Sequence, residues 1–274
     1  MEQKVEKLKK IANEIRINTF HAITKAGGGH YGGCLSLPEI LTVLYFDSMN
    51  VDPKKLKDDS RDRFILSKGH GGPALYATLA ARGYIPLSAL DELDVPLSKF
   101  PKHIDRLKLD AIDVSSGALG QGLSIAVGMA ISLKQQKKPN RVYIVLGDGE
   151  CNSGQVWEAA MAASKYHLSN IIAIVDNNTY QLDGPTETVM PLEPFEEKWK
   201  SFGWKTYDAD GHDVKSLIDT INKAKEEKSR PTVIIANTTK GKGISFMENA
   251  TYWHAGTVSK EQLNQCLIEL EELK

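Results

Sequence analysis

The chain has 274 residues, of which 41% are hydrophobic and 25% are charged, proportions typical of a soluble globular protein. The formal net charge of -1 gives no general attraction to nucleic acid or to an anionic membrane. No apolar run approaches the roughly 20 residues that cross a bilayer, and the N-terminus opens a charged helix, so we expect neither a membrane span nor a signal peptide. The three cysteines lack CxxC spacing, which indicates neither a disulfide framework nor a zinc site and favours a cytoplasmic protein.

The first elements are predicted from apolar spacing and from helix-start signals. Residues 5–23 carry apolar side chains at helical spacing, and a glycine-rich segment at residues 27–33 ends that helix. Ser36 followed by Glu39 predicts a capping box at the start of a second helix, with Pro38 in its first turn.

The following elements alternate between strand and helix. Residues 63–67 favour a strand, and a turn at residues 68–72 joins it to a helix around residues 74–81. A second glycine-rich segment, residues 115–122, leads into an alanine-rich helix that ends near Lys134.

Two continuous apolar runs come next, at residues 141–146 and 170–175. Runs of this length and composition are typical of strands that are buried in a parallel sheet. A helix of about 15 residues, starting at Val156, is expected between them.

The last part of the chain repeats the alternation. It predicts a strand near residues 205–207, a helix over residues 213–225 and a strand over residues 232–236. Ser259 and Gln262 predict a second capping box, at the start of a final helix.

Strands and helices thus alternate along the whole chain. This order predicts an α/β fold with a doubly wound, mostly parallel sheet and helices on both faces. No repeat, low-complexity tract or interdomain linker is visible in the sequence. We therefore expect a single domain over residues 1–274.

Polar residues follow both apolar runs. The first run continues into GDGE at residues 147–150 and the second into DNN, which places Asp148 and Asn178 30 positions apart. Because ligands bind at the carboxyl ends of parallel strands, this spacing predicts one shared site. A carboxylate from Asp148, an amide oxygen from Asn178 and the carbonyl of Tyr180 suit a metal ion on a diphosphate, which Gly149 lets the backbone approach. Each motif alone is also typical of a turn, so the prediction depends on the pair.

The GDG and DNN pair resembles the signature of thiamine-diphosphate enzymes, and the flanking residues resemble the transketolase family over essentially the whole chain. The resemblance implies a thiamine-diphosphate-binding fold of the diphosphate-binding type, with thiamine diphosphate and Mg²⁺ (or Ca²⁺) as cofactors. It implies metal ligation by Asp148, Asn178 and Tyr180. The residues that it implies for cofactor binding are His70, Gly117, Ala118, Leu119, Gly147, Gly149, Glu150, Asn178, Leu182, Lys240 and His254.

Four histidines lie at glycine-rich or loop positions: His30, His70, His103 and His254. A single loop histidine usually has no catalytic role, but the segments KAGGGH, SKGH, FPKH and WH resemble those of transketolases. The resemblance implies that His30 and His103 contact the substrate, whereas His70 and His254 bridge substrate and diphosphate, so all four are predicted to be catalytic. Imidazole suits proton transfer because its unperturbed pKa is about 6.5. The other histidines are expected on a helix face, at a helix end and in a turn: His21, His167 and His212.

Transketolases carry a further domain whose glutamate acts on the aminopyrimidine ring of the cofactor. The resemblance therefore implies a partner, a C-terminal transketolase subunit with pyrimidine-binding and C-terminal domains, and self-association to an α2β2 assembly. We expect this chain alone to be inactive and its substrates to be sugar phosphates or sulfosugars.

Four positions depart from the family pattern. Ser153 stands where many transketolases have a glutamate that joins a carboxylate network between paired active sites. Tyr31 follows His30 where proline is usual, and His103 lies between Lys102 and Ile104 instead of between glycine and proline. The changes beside these two histidines favour a donor or acceptor other than the ordinary pentose phosphates.

Two other functions stay open at this point. One is a subunit of a 2-oxo acid dehydrogenase type of thiamine-diphosphate enzyme, although the four loop histidines favour transketolase. The other is a non-catalytic regulatory relative that keeps the fold. A Rossmann dehydrogenase is not supported, because no GxGxxG motif follows the first predicted strand.

Overall fold

The computed structural model describes residues 2–273. Within them, five strands form a sheet in the order β1-β2-β3-β5-β4, and the neighbouring strands are parallel. The strands are Arg63–Leu66 (β1), Val142–Gly147 (β2), Ile171–Asn177 (β3), Lys205–Asp210 (β4) and Thr232–Asn237 (β5). The predicted α/β fold is confirmed, and each predicted strand is present.

Helices connect the strands and cover both faces of the sheet. They are Glu2–Lys25 (α1), Tyr31–Leu35 (α2), Pro38–Val43 (α3), Gly72–Arg82 (α4), Gln121–Gln135 (α5), Gly154–Lys165 (α6), Thr186–Val189 (α7), Phe195–Ser201 (α8), Val214–Glu226 (α9) and Lys260–Glu271 (α10). The first four helices, α9 and α10 contribute to the core on one face, and α5, α6 and α8 contribute to the core on the other. In the described part of the chain, no helix combines the length and apolar character that a bilayer crossing requires.

The central strands are buried on both faces, which explains their unbroken apolar runs. In β2, Tyr143 and Val145 pack into one core cluster, whereas Ile144 and Leu146 pack into the other. Successive side chains of a strand point to opposite faces of the sheet. A strand that helices cover on both sides therefore needs apolar residues at every position.

The first predicted capping box is wrong. Leu37, and not Ser36, is the N-cap of α3, and no side chain caps that helix. The Ser36 hydroxyl donates instead to the carboxylate of Asp176 at a distance of 2.6 Å. Glu39 binds Arg16, whose Nη2 lies 2.6 and 2.7 Å from the two carboxylate oxygens. The side chains of Ser36 and Glu39 therefore bind residues from distant parts of the chain instead of capping the helix.

The second predicted capping box is confirmed at the start of α10. The Ser259 hydroxyl accepts from the backbone N–H of Gln262, and the side-chain carbonyl of Gln262 accepts from the N–H of Ser259. Helix α6 has 12 residues, fewer than the predicted length of about 15. It ends because His167, just beyond it, has a φ of 49°. A left-handed backbone does not continue a right-handed helix.

We expect the buried pair of Arg16 and Glu39 to stabilise the protein less as the pH falls. Burial disfavours the ionised form of Glu39, but the charge of Arg16 and the hydrogen bond from His212 outweigh it and lower the pKa of Glu39 from 4.5 to about 2. A lowered carboxyl pKa contributes stability above the unfolded-state pKa, and this contribution is lost as the pH falls through the folded-state pKa. The difference in free energy of unfolding between the parent and Glu39→Gln should shrink by roughly 3 kcal/mol between about pH 5 and about pH 2.

Urea titrations of both proteins across this pH range measure the change. Glu14→Gln, an exposed substitution on α1, is the control, and its difference from the parent should vary far less with pH. A pH-independent difference for Glu39→Gln would show that the Arg16–Glu39 pair does not supply this stability.

Candidate functional site

The carboxyl ends of β1, β2, β3 and β5 surround a cavity of about 240 Å³. Lys68, Asp148, Asn178 and Lys240 each follow one of these strands and line the cavity. The predicted cofactor and metal residues in its lining are His70, Leu119, Gly147, Asp148, Gly149, Glu150, Asn178, Tyr180, Leu182, Lys240 and His254. The other two predicted cofactor residues line a separate surface pocket: Gly117 and Ala118.

Asp148 and Asn178 are brought together by the parallel pairing of β2 with β3. Asp148 is buried, and its two oxygens accept from the backbone N–H groups of Gly149 (2.8 Å) and Thr179 (2.6 Å). Burial and the charge of Asp176 raise the pKa of Asp148 from 3.8 to about 6. A cation would offset the cost of burying this carboxylate, so the position suits a metal ligand.

The amide and carbonyl groups of the predicted metal site lie on the same wall. Asn178 Oδ1 accepts from the backbone N–H of Tyr180 at 3.2 Å, and both residues line the cavity. Within residues 2–273, no group of three His, Cys, Asp or Glu side chains could hold a metal ion. A cation here would therefore depend on one carboxylate from Asp148, on amide and carbonyl oxygens and on ligand oxygens, a donor set that suits Mg²⁺.

Next to the cavity, Asp176 forms a buried network that the sequence analysis missed. Its carboxylate accepts hydrogen bonds from Lys68 Nζ, from the Ser36 hydroxyl and from the Thr238 hydroxyl. Burial alone would raise the pKa of Asp176, but the charge of Lys68 and the hydrogen bonds from Lys68, Ser36 and Thr238 together outweigh it and lower that pKa. The network joins the segments that follow β1 and β5 to the end of β3.

Glu150 braces one wall of the cavity. Its carboxylate accepts from the Ser67 hydroxyl, from the backbone N–H of Gly120 (2.8 Å) and from that of Gly147 (3.1 Å). These partners come from the end of β1, from the turn before α5 and from the end of β2. Glu150 thus holds three segments together, and its contact with a cofactor stays a prediction.

The cavity also presents donors for an anion. Lys240 is 1% exposed and donates to the backbone carbonyl of Gln181 at 2.7 Å. Burial and the charge of Lys68 lower the pKa of Lys240 to about 8, which leaves it mostly charged at neutral pH. Gln181, which the sequence analysis did not single out, lines the cavity, and its buried Nε2 has no hydrogen-bond partner within residues 2–273. A Cβ on Gly149 would lie 3.0 Å from Gln181 Cγ, so this glycine admits the glutamine side chain.

The four predicted catalytic histidines lie together. The ring centroid of His30 is 5.4 Å from that of His70, 5.7 Å from that of His103 and 5.4 Å from that of His254. His70 and His254, whose centroids are 5.5 Å apart, also line the cavity, whereas His103 is exposed to solvent. The fold therefore unites four histidines that come from four separate segments.

Three of these rings, those of His30, His70 and His254, are held in the neutral form. Burial and the charges of nearby lysines lower the pKa of His254 to about 4 and that of His70 well below its usual value. Burial is also the main cause of the lowered pKa of His30. A neutral imidazole offers one donor and one acceptor nitrogen, which suits contacts with hydroxyl and carbonyl groups.

Tyr31 does not face the cavity. It is fully buried, and its ring packs against Phe20 and Trp253. The departure from the family at Tyr31 therefore gives no indication about the substrate. Lys102, by contrast, lies close enough to His30 for its charge to lower the pKa of that ring.

The other histidines were assigned no chemistry by the sequence analysis. His21 and His167 are exposed on α1 and just beyond α6, as predicted. His212 lies in the predicted turn, but its ring contacts both Glu39 and the backbone of Thr239. No local spacing in the sequence signals these two contacts.

Comparisons with known proteins agree with this geometry. The sequence matches the family described as "Transketolase, thiamine diphosphate binding domain" over residues 7–270. It is 44% identical to the 6-deoxy-6-sulfo-D-fructose transketolase subunit of Clostridium sp. (strain MSTE9), over 99% of this chain and 98% of that protein. It is 41% identical to an apulose-4-phosphate transketolase subunit of Phocaeicola vulgatus, over 98% and 95% of the two chains. Its fold matches a Pichia stipitis transketolase with a TM-score of 0.91 at 28% identity, over 96% of this chain and 40% of that chain.

The parallel sheet and the family match define a thiamine-diphosphate-binding domain. The chain belongs to the transketolase family. This confirms the prediction that the chain is a transketolase subunit and therefore part of a transferase. The chain spans 40% of the solved transketolase, but nearly the full length of the two relatives that are named as subunits.

Proposed function

We propose that this chain is the thiamine-diphosphate-binding subunit of a two-chain transketolase, which transfers a two-carbon ketol unit from a ketose to an aldose. The observation that carries the proposal is the cavity at the strand ends, where Asp148, Asn178 and Lys240 share one space with two of the four clustered histidines. When bound, thiamine diphosphate supplies the nucleophilic carbon and the electron sink that such a transfer requires. The residues of this chain bind the anionic tail and handle the protons of the sugar.

We propose that Mg²⁺, or Ca²⁺, joins the diphosphate to the protein through Asp148, Asn178 and the carbonyl of Tyr180. The buried carboxylate with its raised pKa and the uncommitted amide donor of Gln181 support an ionic ligand in this cavity. Lys240 adds a positive charge beside it.

The proposed roles of the histidines follow their positions. His70 and His254 line the cavity and would lie between diphosphate and substrate. His30 and His103 would orient the hydroxyl and carbonyl groups of the sugar and exchange protons with them. The neutral rings of His70 and His254 in the same cluster present lone pairs to the ligand and do not repel one another.

We further propose that a C-terminal transketolase subunit, with pyrimidine-binding and C-terminal domains, covers the open side of the cavity in an assembly of two copies of each chain. Leu119 and Leu182 line the cavity, yet they are 43% and 60% exposed. Apolar side chains exposed at a pocket are typical of a surface that a partner covers. The relatives that are named as subunits also support a partner.

Three further proposals concern substrate, location and organisation. The two subunit relatives are named for 6-deoxy-6-sulfo-D-fructose and for apulose 4-phosphate, which supports a sugar phosphate or a sulfosugar here. The cysteines of the described chain are free and buried, which supports a cytoplasmic location. The continuous sheet supports a single domain over residues 1–274.

Ketol transfer by the reconstituted complex tests the function. This chain and its partner polypeptide, with thiamine diphosphate, Mg²⁺, an aldose acceptor and a ketose phosphate or sulfosugar donor, should release an aldose shortened by two carbons. Decarboxylation of a 2-oxo acid without ketol transfer would favour the 2-oxo acid dehydrogenase alternative. Cofactor binding without turnover of either substrate class would favour a regulatory relative.

Replacing His103 by alanine is expected to slow donor cleavage by about 10²–10⁴-fold, the usual contribution of a positioned acid or base. Cofactor affinity should stay within about twofold, because His103 is exposed and lies outside the lining of the cavity. The kcat of the complex and the Kd of thiamine diphosphate measure the two effects. His21→Ala, exposed on α1, is the control. Unchanged kcat would remove His103 from catalysis, and lost cofactor affinity would assign it to binding instead.

A further inference from the structure

The ring of His212 connects the turn between β4 and α9 to the loop that carries Lys240. Its Nε2 lies 2.8 Å from the backbone nitrogen of Thr239. Its Nδ1 lies 3.1 Å from Oε2 of Glu39, on α3. The His212 side chain is 16% exposed, so both contacts are largely shielded from water.

These two contacts admit one protonation state of the His212 ring. A backbone N–H only donates, so Nε2 must offer its lone pair to Thr239. The proton of the neutral ring then sits on Nδ1 and is donated to the Glu39 carboxylate. A doubly protonated ring would place Nε2–H against the N–H of Thr239 and break that contact.

The carboxylate that orients His212 is itself held in place. Arg16 Nη2 lies 2.6 and 2.7 Å from the two oxygens of Glu39, and both side chains are buried. Asp210 Oδ1 accepts from the backbone N–H of His212 at 2.9 Å. Through these contacts, three charged groups surround the segment that carries the ring: Arg16 on α1, Glu39 on α3 and Asp210 at the end of β4.

The loop on the other side of His212 leads directly into the cavity. Thr239 precedes Lys240, whose ammonium group lines the cavity. The turn packs closely on this segment, because a Cβ on Gly211 would lie 2.9 Å from the carbonyl oxygen of Asn237. The hydrogen bond to Thr239 therefore helps to fix the backbone from which Lys240 extends.

We propose that His212, as the neutral ring protonated on Nδ1, is a positioning residue of the cavity that holds Thr239 so that Lys240 meets an anionic ligand. Through Arg16 and Glu39, helices α1 and α3 thereby help to set the place of a ligand-binding ammonium group. The identity of this ligand, the diphosphate group of thiamine diphosphate, rests on the proposed function. The ring state and the contact with Thr239 do not depend on that identity.

The protonation state is measured without any ligand. In the full chain with ¹⁵N-labelled histidine, the His212 ring should show a protonated Nδ1 and an unprotonated Nε2 at neutral pH. The signals that disappear in His212→Asn are those of the His212 ring, so this variant assigns them. A ring that carries its proton on Nε2, or on both nitrogens, at neutral pH would overturn the proposal.

Two variants separate the contacts of the ring. Asparagine places its carboxamide near the position of Nδ1 and keeps only the contact with Glu39, whereas glutamine brings a carbonyl oxygen near Nε2 that accepts from Thr239. In the complex with the partner subunit, His212→Asn should weaken binding of Mg²⁺–thiamine diphosphate by about tenfold, and His212→Gln by less than about threefold. The control is His167→Asn, because His167 is exposed and its positive φ suits asparagine.

Hydrogen exchange of the Thr239 amide gives a second reading that needs no cofactor. It should be at least about tenfold faster in His212→Asn than in His212→Gln, because only glutamine keeps the acceptor. Equal affinity and equal exchange in His212→Asn and the parent would overturn the positioning role. If the parent complex does not bind Mg²⁺–thiamine diphosphate, the proposed function fails, and the exchange rates alone decide the role of His212.

Discussion

Replacing Asp148 by asparagine is expected to weaken the binding of thiamine diphosphate with Mg²⁺ by at least about 100-fold, or about 2.8 kcal/mol. Asp148 is the one carboxylate among the three predicted metal ligands, so the variant removes the charge that a divalent cation requires. The amide keeps nearly the same shape, which confines the change to charge. Calorimetric titration of the parent and variant complexes with Mg²⁺ and the cofactor measures the loss.

The stability of this variant should change little. Burial raises the pKa of Asp148 to about 6, so removal of its charge stabilises the unliganded protein by roughly 3 kcal/mol at neutral pH. In exchange, the new amide N–H₂ group faces the backbone N–H of Gly149 or Thr179, and a buried donor without an acceptor costs about 1–3 kcal/mol. Asp183→Asn, exposed in the loop after β3, is the matched control and should bind like the parent. Undiminished cofactor binding by Asp148→Asn would remove Asp148 from the metal site.

Replacing Lys68 by methionine is expected to lower the free energy of unfolding by about 3–5 kcal/mol. Asp176 is fully buried, and Lys68 supplies the charge that lowers the pKa of its carboxyl group. Without that ammonium group, the carboxylate must either stay buried without a counter-charge or bind a proton. Urea unfolding at neutral pH measures the loss.

The double variant Lys68→Met, Asp176→Asn should recover most of this loss, because it removes both buried charges. Lys215→Met is the matched control: it breaks an exposed pair with Asp219 and should leave the free energy of unfolding nearly unchanged. If Lys68→Met alone were as stable as the parent, or if the double variant recovered nothing, the two buried groups would not be energetically coupled.

The fold and the meeting of Asp148 with Asn178 at one cavity were predictable because they depend on local patterns. The apolar runs of β2 and β3 are long and unbroken, as strands with helices on both faces require. Asp148 and Asn178 follow these runs directly, so the general position of a ligand in a parallel sheet is enough to bring them together.

The contacts that were missed join residues far apart in the sequence. Asp176 is 140 positions from Ser36 and 108 positions from Lys68, and Glu39 is 173 positions from His212. No spacing rule relates such residues, since only the assembled sheet and its helices bring them into contact. For the same reason a local rule mispredicted the capping box of Ser36 and Glu39, whose side chains form stronger contacts elsewhere.

The two sides of the site are supported differently. The hydrogen bonds of the sheet place Gly147 opposite Asp176, which sets the separation of the strand ends that carry Asp148 and Asn178. The clustered histidines, by contrast, come from connecting segments that tolerate substitution more readily than strands do. Substitutions in these loops can therefore change which sugar is bound, while the strand ends that would hold the cofactor keep their positions. Two subunit relatives whose names refer to different sugars are what such divergence on a common scaffold would produce.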